Sequence, residues 1–134
     1  MINLRFHHIG YACRDLDSES DKLSMLEYVR EGQDFDDPKQ MVKGRFLIGP
    51  GPRIELLVQY KDATVLEPWL SKGIKMYHLD YEVENLQVEI DRLRKEGAKL
   101  IVQPMSAKAF SGENLAFLLL PTMLLVELIQ GTVK

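Results

Sequence analysis

Two histidines and two glutamates stand at repeated places in this 134-residue chain. His8 and His78 lie 70 residues apart near the starts of two similar segments, FHHIGYACRDLDSE and MYHLDYEVENLQVE. Glu55 and Glu127 lie 72 residues apart near the ends of another similar pair, FLIGPGPRIELLVQ and FLLLPTMLLVELIQ. A duplicated fold with a pseudo-twofold axis would bring these four side chains together. The pattern therefore predicts a metal site made of two imidazoles and two carboxylates.

A site of this composition indicates proton-transfer chemistry. The mixed nitrogen and oxygen ligands suit Ni, Co, Zn, Mn or Fe(II), and the residues do not select among these metals. An octahedral ion with four protein ligands keeps two positions for waters or for a bidentate substrate. Such an ion polarises a carbonyl and stabilises an enolate or enediolate as a Lewis acid. Glu127 or Glu55 could leave the ion and take the proton next to the carbonyl as the general base.

Each candidate ligand also has a purely structural interpretation. A single histidine in a strand is more often a hydrogen-bonded structural residue than a ligand. His7 has the opposite strand parity from His8 and lacks a counterpart in the second half, so we expect a structural or exposed role for it. Glu55 and Glu127 lie in apolar strands that are typical of burial on both faces, where a carboxylate needs a cation or a proton. Their repetition favours a shared metal site over a duplication that merely preserves a pattern.

The bulk properties favour a small intracellular enzyme or binding protein. A chain of 134 residues with a net charge of −3 is one domain's worth of material and has no concentrated basic region for nucleic acid. The single Cys13 excludes an internal disulfide and suits a reducing compartment. No signal peptide is expected at the start, and Pro121 and Glu127 break the longest apolar run, so no membrane span is expected. We expect a cytoplasmic protein with a small-molecule substrate.

The first half of the chain has a local pattern that positions His8 and Glu55. Apolar residues and turn residues predict two strands, 4–12 and 42–48, a helix over 16–29, a polar loop over 34–39, and a third strand over 53–59. The last two strands are joined by a Gly-Pro-Gly-Pro turn. A short helix around 66–70 is expected in the connection to the second half.

The second half repeats this pattern around His78 and Glu127. We predict a strand over 76–83, a helix over 86–96 that ends at Gly97, and strands over 98–102, 115–120 and 124–129. The predicted fold is therefore α+β, with two tandem βαβββ modules, about 4–60 and about 76–130, that form a curved mixed sheet around a metal-binding cavity.

Several segments of this pattern resemble the vicinal oxygen chelate superfamily, the group of glyoxalases, bleomycin resistance proteins and dioxygenases. They are HHIGYACRDLD, RIELLVQ, YHLDYEVENL, AFLLLP and LLVELIQ, and the resemblance runs from about Phe6 to Gln130. It implies a single domain over residues 1–134, a homodimer, and one metal ion per site held by the first and last strand of each module. The positions that match the ligands are His8, Glu55, His78 and Glu127.

Within that superfamily the chain is most similar to bacterial glyoxalase I-like and methylmalonyl-CoA epimerase-like proteins. A His-Glu-His-Glu set is the pattern of glyoxalase I, whereas epimerases often have glutamine where Glu55 stands. The resemblance thus implies a lyase or isomerase that turns a hemithioacetal of methylglyoxal or a similar compound into a thioester, with a thiol co-substrate. The alternative is an epimerase acting on a 2-substituted acyl-CoA.

Further details divide these two readings. The HIGYAC segment and the Trp69-Leu70 segment are epimerase-like. Epimerases of this type can carry a second proton-transfer glutamate, and the matching position is Gly44, which cannot do acid–base work. The segment Ser111-Gly112-Glu113-Asn114 also departs from the epimerase pattern of a basic residue with a Gly-Gly element.

Two further functional classes use the same scaffold. One is a protein that binds a small molecule or an antibiotic without catalysis, and members of that kind usually lack the ligand set. The other is an Fe(II) dioxygenase, whose site has two histidines and one carboxylate with positions open for O₂. Glu55 would occupy one of those positions. A structural duplication without a metal is the remaining interpretation.

Overall fold

A computed structural model describes residues 3–131 as two compact units. Module one comprises residues 8–77, and module two comprises residues 78–131 together with residues 3–7. The elements in chain order are β1 (Leu4–Ala12), α1 (Leu16–Leu23), a 3-10 turn (Ser24–Leu26), β2 (Val29–Asp37), β3 (Val42–Ile48), β4 (Ile54–Gln59), α2 (Glu67–Leu70), β5 (Met76–Val83), α3 (Leu86–Lys95), β6 (Lys99–Ser106), a second 3-10 turn (Lys108–Phe110), β7 (Asn114–Leu119) and β8 (Leu125–Gln130).

Module one is a mixed sheet with the strand order β2-β3-β4-β1, in which β1 and β4 run parallel and the other pairs antiparallel. Asp15 caps α1 by accepting a hydrogen bond from the Ser18 amide at 2.8 Å. The helix packs its Leu16 and Leu23 on one face of the sheet, against a cluster that includes Leu47 and Leu56. The opposite face is left for His8 and Glu55, which therefore do not compete with the helix for space.

That opposite face has a smaller apolar cluster of its own. Ala12, Val42 and Leu57 are buried there beneath Leu66 and Trp69, which belong to the segment around α2. Both faces of β4 are therefore covered, as the apolar residues around the glutamate predicted.

Module two repeats this arrangement with the strand order β5-β8-β7-β6 and a parallel β5–β8 pair. Asn85 caps α3 by accepting from the Val88 amide at 3.1 Å, and Gly97 follows the helix with a φ of +100°. Leu86 and Ile90 of the helix pack into the main apolar cluster of this module. The α+β class and the tandem βαβββ modules are confirmed.

The first predicted helix was too long, and strand β2 was missed. The helical region ends before Glu27, which has a φ of +66°, and Leu26 and Val29 are 63% and 61% exposed rather than on a buried helix face. Strand β2 has the sequence VREGQDFDD, and its pairing with β3 shifts register between Glu31 and Phe35. Backbone pairing at a sheet edge forms this strand without an alternating apolar pattern, so the polar residues gave no strand signal.

The predicted Gly-Pro-Gly-Pro turn is present and has a packing reason for its first glycine. A Cβ atom on Gly49 would lie 2.8 Å from the ring of Tyr28, whose hydroxyl donates to the Pro52 carbonyl at 2.7 Å.

Strand β6 runs to Ser106, four residues beyond its predicted end at 102. Within residues 3–131, no helix is long and apolar enough to cross a membrane.

Candidate metal centre

The first histidine–glutamate pair joins the two parallel strands of module one. Gly10 of β1 is the register partner of Glu55 on β4, and His8 lies two residues earlier on the same face of β1. His8 Nε2 is 3.1 Å from Glu55 Oε1, and the two side chains are 0% and 5% exposed. Parallel pairing of β1 with β4 therefore brings an imidazole and a carboxylate together away from water.

The second pair is built in the same way in module two. Asp80 of β5 is the register partner of Glu127 on β8, and His78 lies two residues before Asp80. His78 Nε2 is 3.1 Å from Glu127 Oε1, with both side chains buried. The match in strand register and in distance shows that each half of the chain builds its pair with the same backbone.

One aromatic ring supports each histidine. Phe46 is the register partner of Glu55, and its ring lies edge-to-face to His8 with centroids 5.4 Å apart. Phe117 is the partner of Glu127, and its ring meets His78 at 5.2 Å. Edge-to-face packing restricts the orientation of an imidazole ring. Sequence reasoning assigned neither phenylalanine to the site, although their equivalent places in the repeat were a usable signal.

The donor chemistry of each pair suits a divalent metal ion. Each pair offers one imidazole nitrogen and one carboxylate oxygen, which are donor types that could hold a metal. A buried ionised carboxylate is costly unless a positive charge neutralises it, and either a protonated imidazole or a metal ion can do so. Glu55 and Glu127 are both buried, so each needs such a partner if it is ionised.

Asp80 is a further buried carboxylic acid near the site that sequence reasoning missed. Its exposure is 0%, and it lies on the same face of β5 as His78. Gly10 has the equivalent register place in module one, so the repeat gave no signal for an acidic residue there. Asp80 thus places a second carboxyl group on the same sheet face as the His78–Glu127 pair.

His7 contacts a carboxylate and an aromatic ring that lie outside the two His–Glu pairs. Its Nε2 is 3.8 Å from a carboxylate oxygen of Glu82, and its ring lies edge-to-face to Phe110. Glu82 also accepts a hydrogen bond from Arg5 at 2.6 Å.

Tyr11 and Cys13 lie on the helix-covered face of module one. The Tyr11 hydroxyl donates to Glu19 at 2.7 Å, and burial followed by this bond raises the pKa of Tyr11. Cys13 is fully buried in the same cluster, and burial raises the pKa of its thiol to about 11. Both residues pack in the core of module one. A buried thiol with a raised pKa stays protonated and is a poor nucleophile.

The ring of Phe35 covers the backbone of Gly44. It is the register partner of Phe35 on one side and of Leu57 on the other. A Cβ atom built on Gly44 would lie 2.0 Å from Cζ of Phe35, so the Phe35 ring already fills the space of any side chain at this position.

Comparisons with known proteins agree with this architecture. The family model described as the Glyoxalase/Bleomycin resistance protein/Dioxygenase superfamily matches residues 7–117. The ethylmalonyl-CoA/methylmalonyl-CoA epimerase of Cereibacter sphaeroides is 27% identical over 99 residues, which cover 72% of this chain and 74% of that protein.

Solved structures show the same fold at lower sequence identity. A hypothetical protein from Bacillus halodurans is 23% identical, with a TM-score of 0.79 over 98% of this chain and 96% of the other. A methylmalonyl-CoA epimerase from Mycobacterium tuberculosis is 21% identical, with a TM-score of 0.77 over 97% and 89% of the two chains. A variant of the Streptomyces coelicolor methylmalonyl-CoA epimerase, in complex with 2-nitronate-propionyl-CoA, is 19% identical, with a TM-score of 0.74 over 98% and 97%.

Proposed function

Because the chain belongs to the glyoxalase/bleomycin resistance protein/dioxygenase superfamily, we propose that it is a metal-dependent enzyme that moves a proton on a carbon next to a carbonyl group. The observation that carries this proposal is the pair of buried His–Glu contacts, each at 3.1 Å and each built in the same strand register. A single pair could be a structural ion pair. Two equivalent pairs supply two imidazole and two carboxylate donors, a set that could hold one metal ion.

The metal ligands in this proposal are His8, Glu55, His78 and Glu127, all from one domain over residues 1–134. Their nitrogen and oxygen donors fit Ni, Co, Zn or Mn. When bound, the ion supplies Lewis acidity at a carbonyl oxygen of the substrate. The rings of Phe46 and Phe117 orient the two imidazoles for this task.

The proton is moved by a glutamate of the same set. We assign the base role to Glu127, with Glu55 as the alternative, since both carboxylates are buried where water cannot compete for the proton. The carboxylate takes a proton from the carbon next to the carbonyl and returns it to the neighbouring carbon. The substrate is isomerised with no net oxidation, so a redox cofactor is not needed.

The glyoxalase I type of reaction is the form that the site supports best. It converts the hemithioacetal of methylglyoxal or a similar compound into a thioester, with a small thiol as co-substrate. Glu55 supports it, as does Gly44, where the Phe35 ring leaves no space for a second proton-transfer side chain. One base is sufficient when the proton is removed and returned on the same face.

Epimerisation of a 2-substituted acyl-CoA is the second candidate. Its support is the 27% identity to the ethylmalonyl-CoA/methylmalonyl-CoA epimerase. Inversion of a carbon centre requires proton delivery from the opposite face, so this reaction needs a second donor. Assays of both substrate classes on the same metal-loaded protein separate the two candidates.

The first test is metal content after purification without chelator or nickel affinity resin. We expect about one divalent ion per chain in the wild type and a loss in Glu127→Gln. Glu89→Gln is the matched control, because Glu89 is also a buried glutamate of module two but lies in α3 and binds Arg92 at 2.8 Å. A wild-type protein that stays metal-free after incubation with Ni, Co, Zn and Mn would contradict the proposal.

The proposal extends to a cytoplasmic homodimer that contacts neither nucleic acid nor membranes. Its support is the family resemblance together with an exposed apolar patch on module one. The patch consists of Met25, Leu26, Val29 and Ile48, of which Val29 and Ile48 are register partners. Light scattering coupled to size-exclusion chromatography measures the mass, and a monomer at micromolar concentration contradicts the dimer.

A further inference from the structure

We propose that Phe35 and Phe46 form an aromatic wall beside the His8–Glu55 pair, and that this wall receives a nonpolar group attached to the reacting carbon. The inference rests on the proposed function and narrows its substrate class. The preferred substrates are carbonyl compounds with an alkyl or aryl substituent at that carbon, rather than those with a carboxylate there.

Strand register places the wall next to the proposed ligands. One row across the sheet of module one contains Gly10, Glu55 and Phe46. The adjacent row on the same face contains Ala12, Leu57, Gly44 and Phe35. Residues two apart on a strand share a face, so the row that carries Glu55 is followed directly by an apolar row.

Gly44 leaves the space that the Phe35 ring fills. With Gly44 in β3, the Phe35 ring lies on the backbone of its neighbour strand, where a Cβ atom would come within 2.0 Å of it. Phe35 also packs against the buried Ala12, Val42 and Leu57 cluster. Its position is thus fixed by the backbone below it and by apolar neighbours.

The aromatic rings continue from Phe35 to the histidine. Phe35 and Phe46 have centroids 5.8 Å apart, and Phe46 is 5.4 Å from His8. Both phenylalanines are half-buried, whereas Leu57 in the same row is buried. The two rings therefore retain surface that a ligand could cover.

The chemistry of this surface decides what it accepts. An aryl or alkyl group that covers the rings is removed from water, and this burial of apolar surface lowers the free energy of binding. A carboxylate in the same place would give up its hydration, and the Phe35 and Phe46 side chains have no hydrogen-bond donor to replace it. A hydrophobic pocket typically discriminates by about 10–200-fold between substrates that differ by one methylene group.

The test uses two small chelators that present a bidentate oxygen pair to a metal. Benzohydroxamate carries a phenyl group and acetohydroxamate a methyl group, and calorimetry measures their dissociation constants for the metal-loaded full chain. We expect the wild type to bind benzohydroxamate at least about tenfold more tightly. Phe35→Ala should reduce this preference to about twofold or less, and Phe35→Leu should give an intermediate value.

Phe6→Ala is the control, because Phe6 is an accessible phenylalanine of module two that packs on Tyr81 and is not part of the wall. It should keep the wild-type preference. Metal content and the thermal unfolding midpoint show whether Phe35→Ala folds, and Phe35→Leu retains most of the side-chain volume if it does not.

The outcomes separate the wall from the proposed function. If the wild type binds the metal and both hydroxamates, and Phe35→Ala and Phe35→Leu leave the preference unchanged, the wall is wrong while the metal site stands. If the wild type binds neither metal nor hydroxamate, the proposed function is wrong, and so is the proposed role of the aromatic wall in substrate binding.

Discussion

Module one and module two hold a histidine and a glutamate in the same way but surround them with different side chains. The register partner of Glu55 is Gly10, whereas the partner of Glu127 is the buried carboxylate Asp80. The backbone and the His–Glu distance are the same in the two modules. A duplicated backbone can thus preserve a pair of donors while the adjacent positions change in polarity.

The next row of residues shows the same contrast. Module one has Ala12 on its first strand and the Phe35 ring over Gly44. Module two has Glu82 at the place of Ala12 and a fully buried Leu115 at the place of Gly44. Module one thus places an aromatic ring over a glycine where module two has the Leu115 side chain, and module two has a glutamate on its first strand.

The most direct test of whether the two modules contribute equally to metal binding is to remove the histidine of each pair in turn. His8→Ala and His78→Ala should each weaken metal binding by more than about 100-fold, because even groups that only support a ligand typically contribute about 10–100-fold. Metal titration monitored by calorimetry measures both values. A large effect of only one variant would show that the modules contribute unequally.

The repeat in the sequence was sufficient to identify the four candidate ligands, because each has a partner of the same type at the equivalent place. It could not reveal Asp80 or Phe35, because the residues at the equivalent places are of different types. They are Gly10 for Asp80 and Met105 for Phe35. Strand β2 was missed because its polar sequence pairs through backbone hydrogen bonds at a sheet edge. A repeat thus predicts what two modules share, and the asymmetric parts require the structure.

The second prediction compares the two equivalent positions in β7 and β3. Leu115→Ala should lower the free energy of unfolding by about 2–5 kcal/mol, because it leaves a cavity in a fully buried site. Gly44→Ala should lower it by about 1–3 kcal/mol through overpacking against Phe35. Urea unfolding measures both variants.

The double variant Gly44→Ala with Phe35→Ala sharpens this test. Removal of the ring provides space for the new methyl group, so the double variant should be more stable than the sum of the two single changes predicts. Additive losses would show that the Phe35 ring moves away from Gly44 at little cost, and would weaken the case for a fixed wall.

The smallest expected effect concerns an ion pair that supports module one. Arg45 is buried and donates to Asp34 at 2.8 Å and 2.9 Å, which lowers the pKa of Asp34 from its ordinary value of 3.8. A lowered pKa in the folded state contributes stability above the unfolded value, and this stability is lost as the pH falls through the lowered pKa. Asp34 is still 37% exposed, so water screens the pair and the contribution is about 1 kcal/mol or less.

Asp34→Asn should therefore destabilise the protein slightly at pH 7, and the difference from the wild type should shrink as the pH falls below 3.8. Urea unfolding at a series of pH values measures the difference. Asp91→Asn provides the comparison in module two, where Asp91 accepts a hydrogen bond from the side-chain amide of Gln87 at 2.9 Å. Its effect should be small at every pH. If the loss of stability in Asp34→Asn is the same at every pH, the prediction is wrong. The stabilising partner of Arg45 would then be Asp17, 2.8 Å away, rather than Asp34.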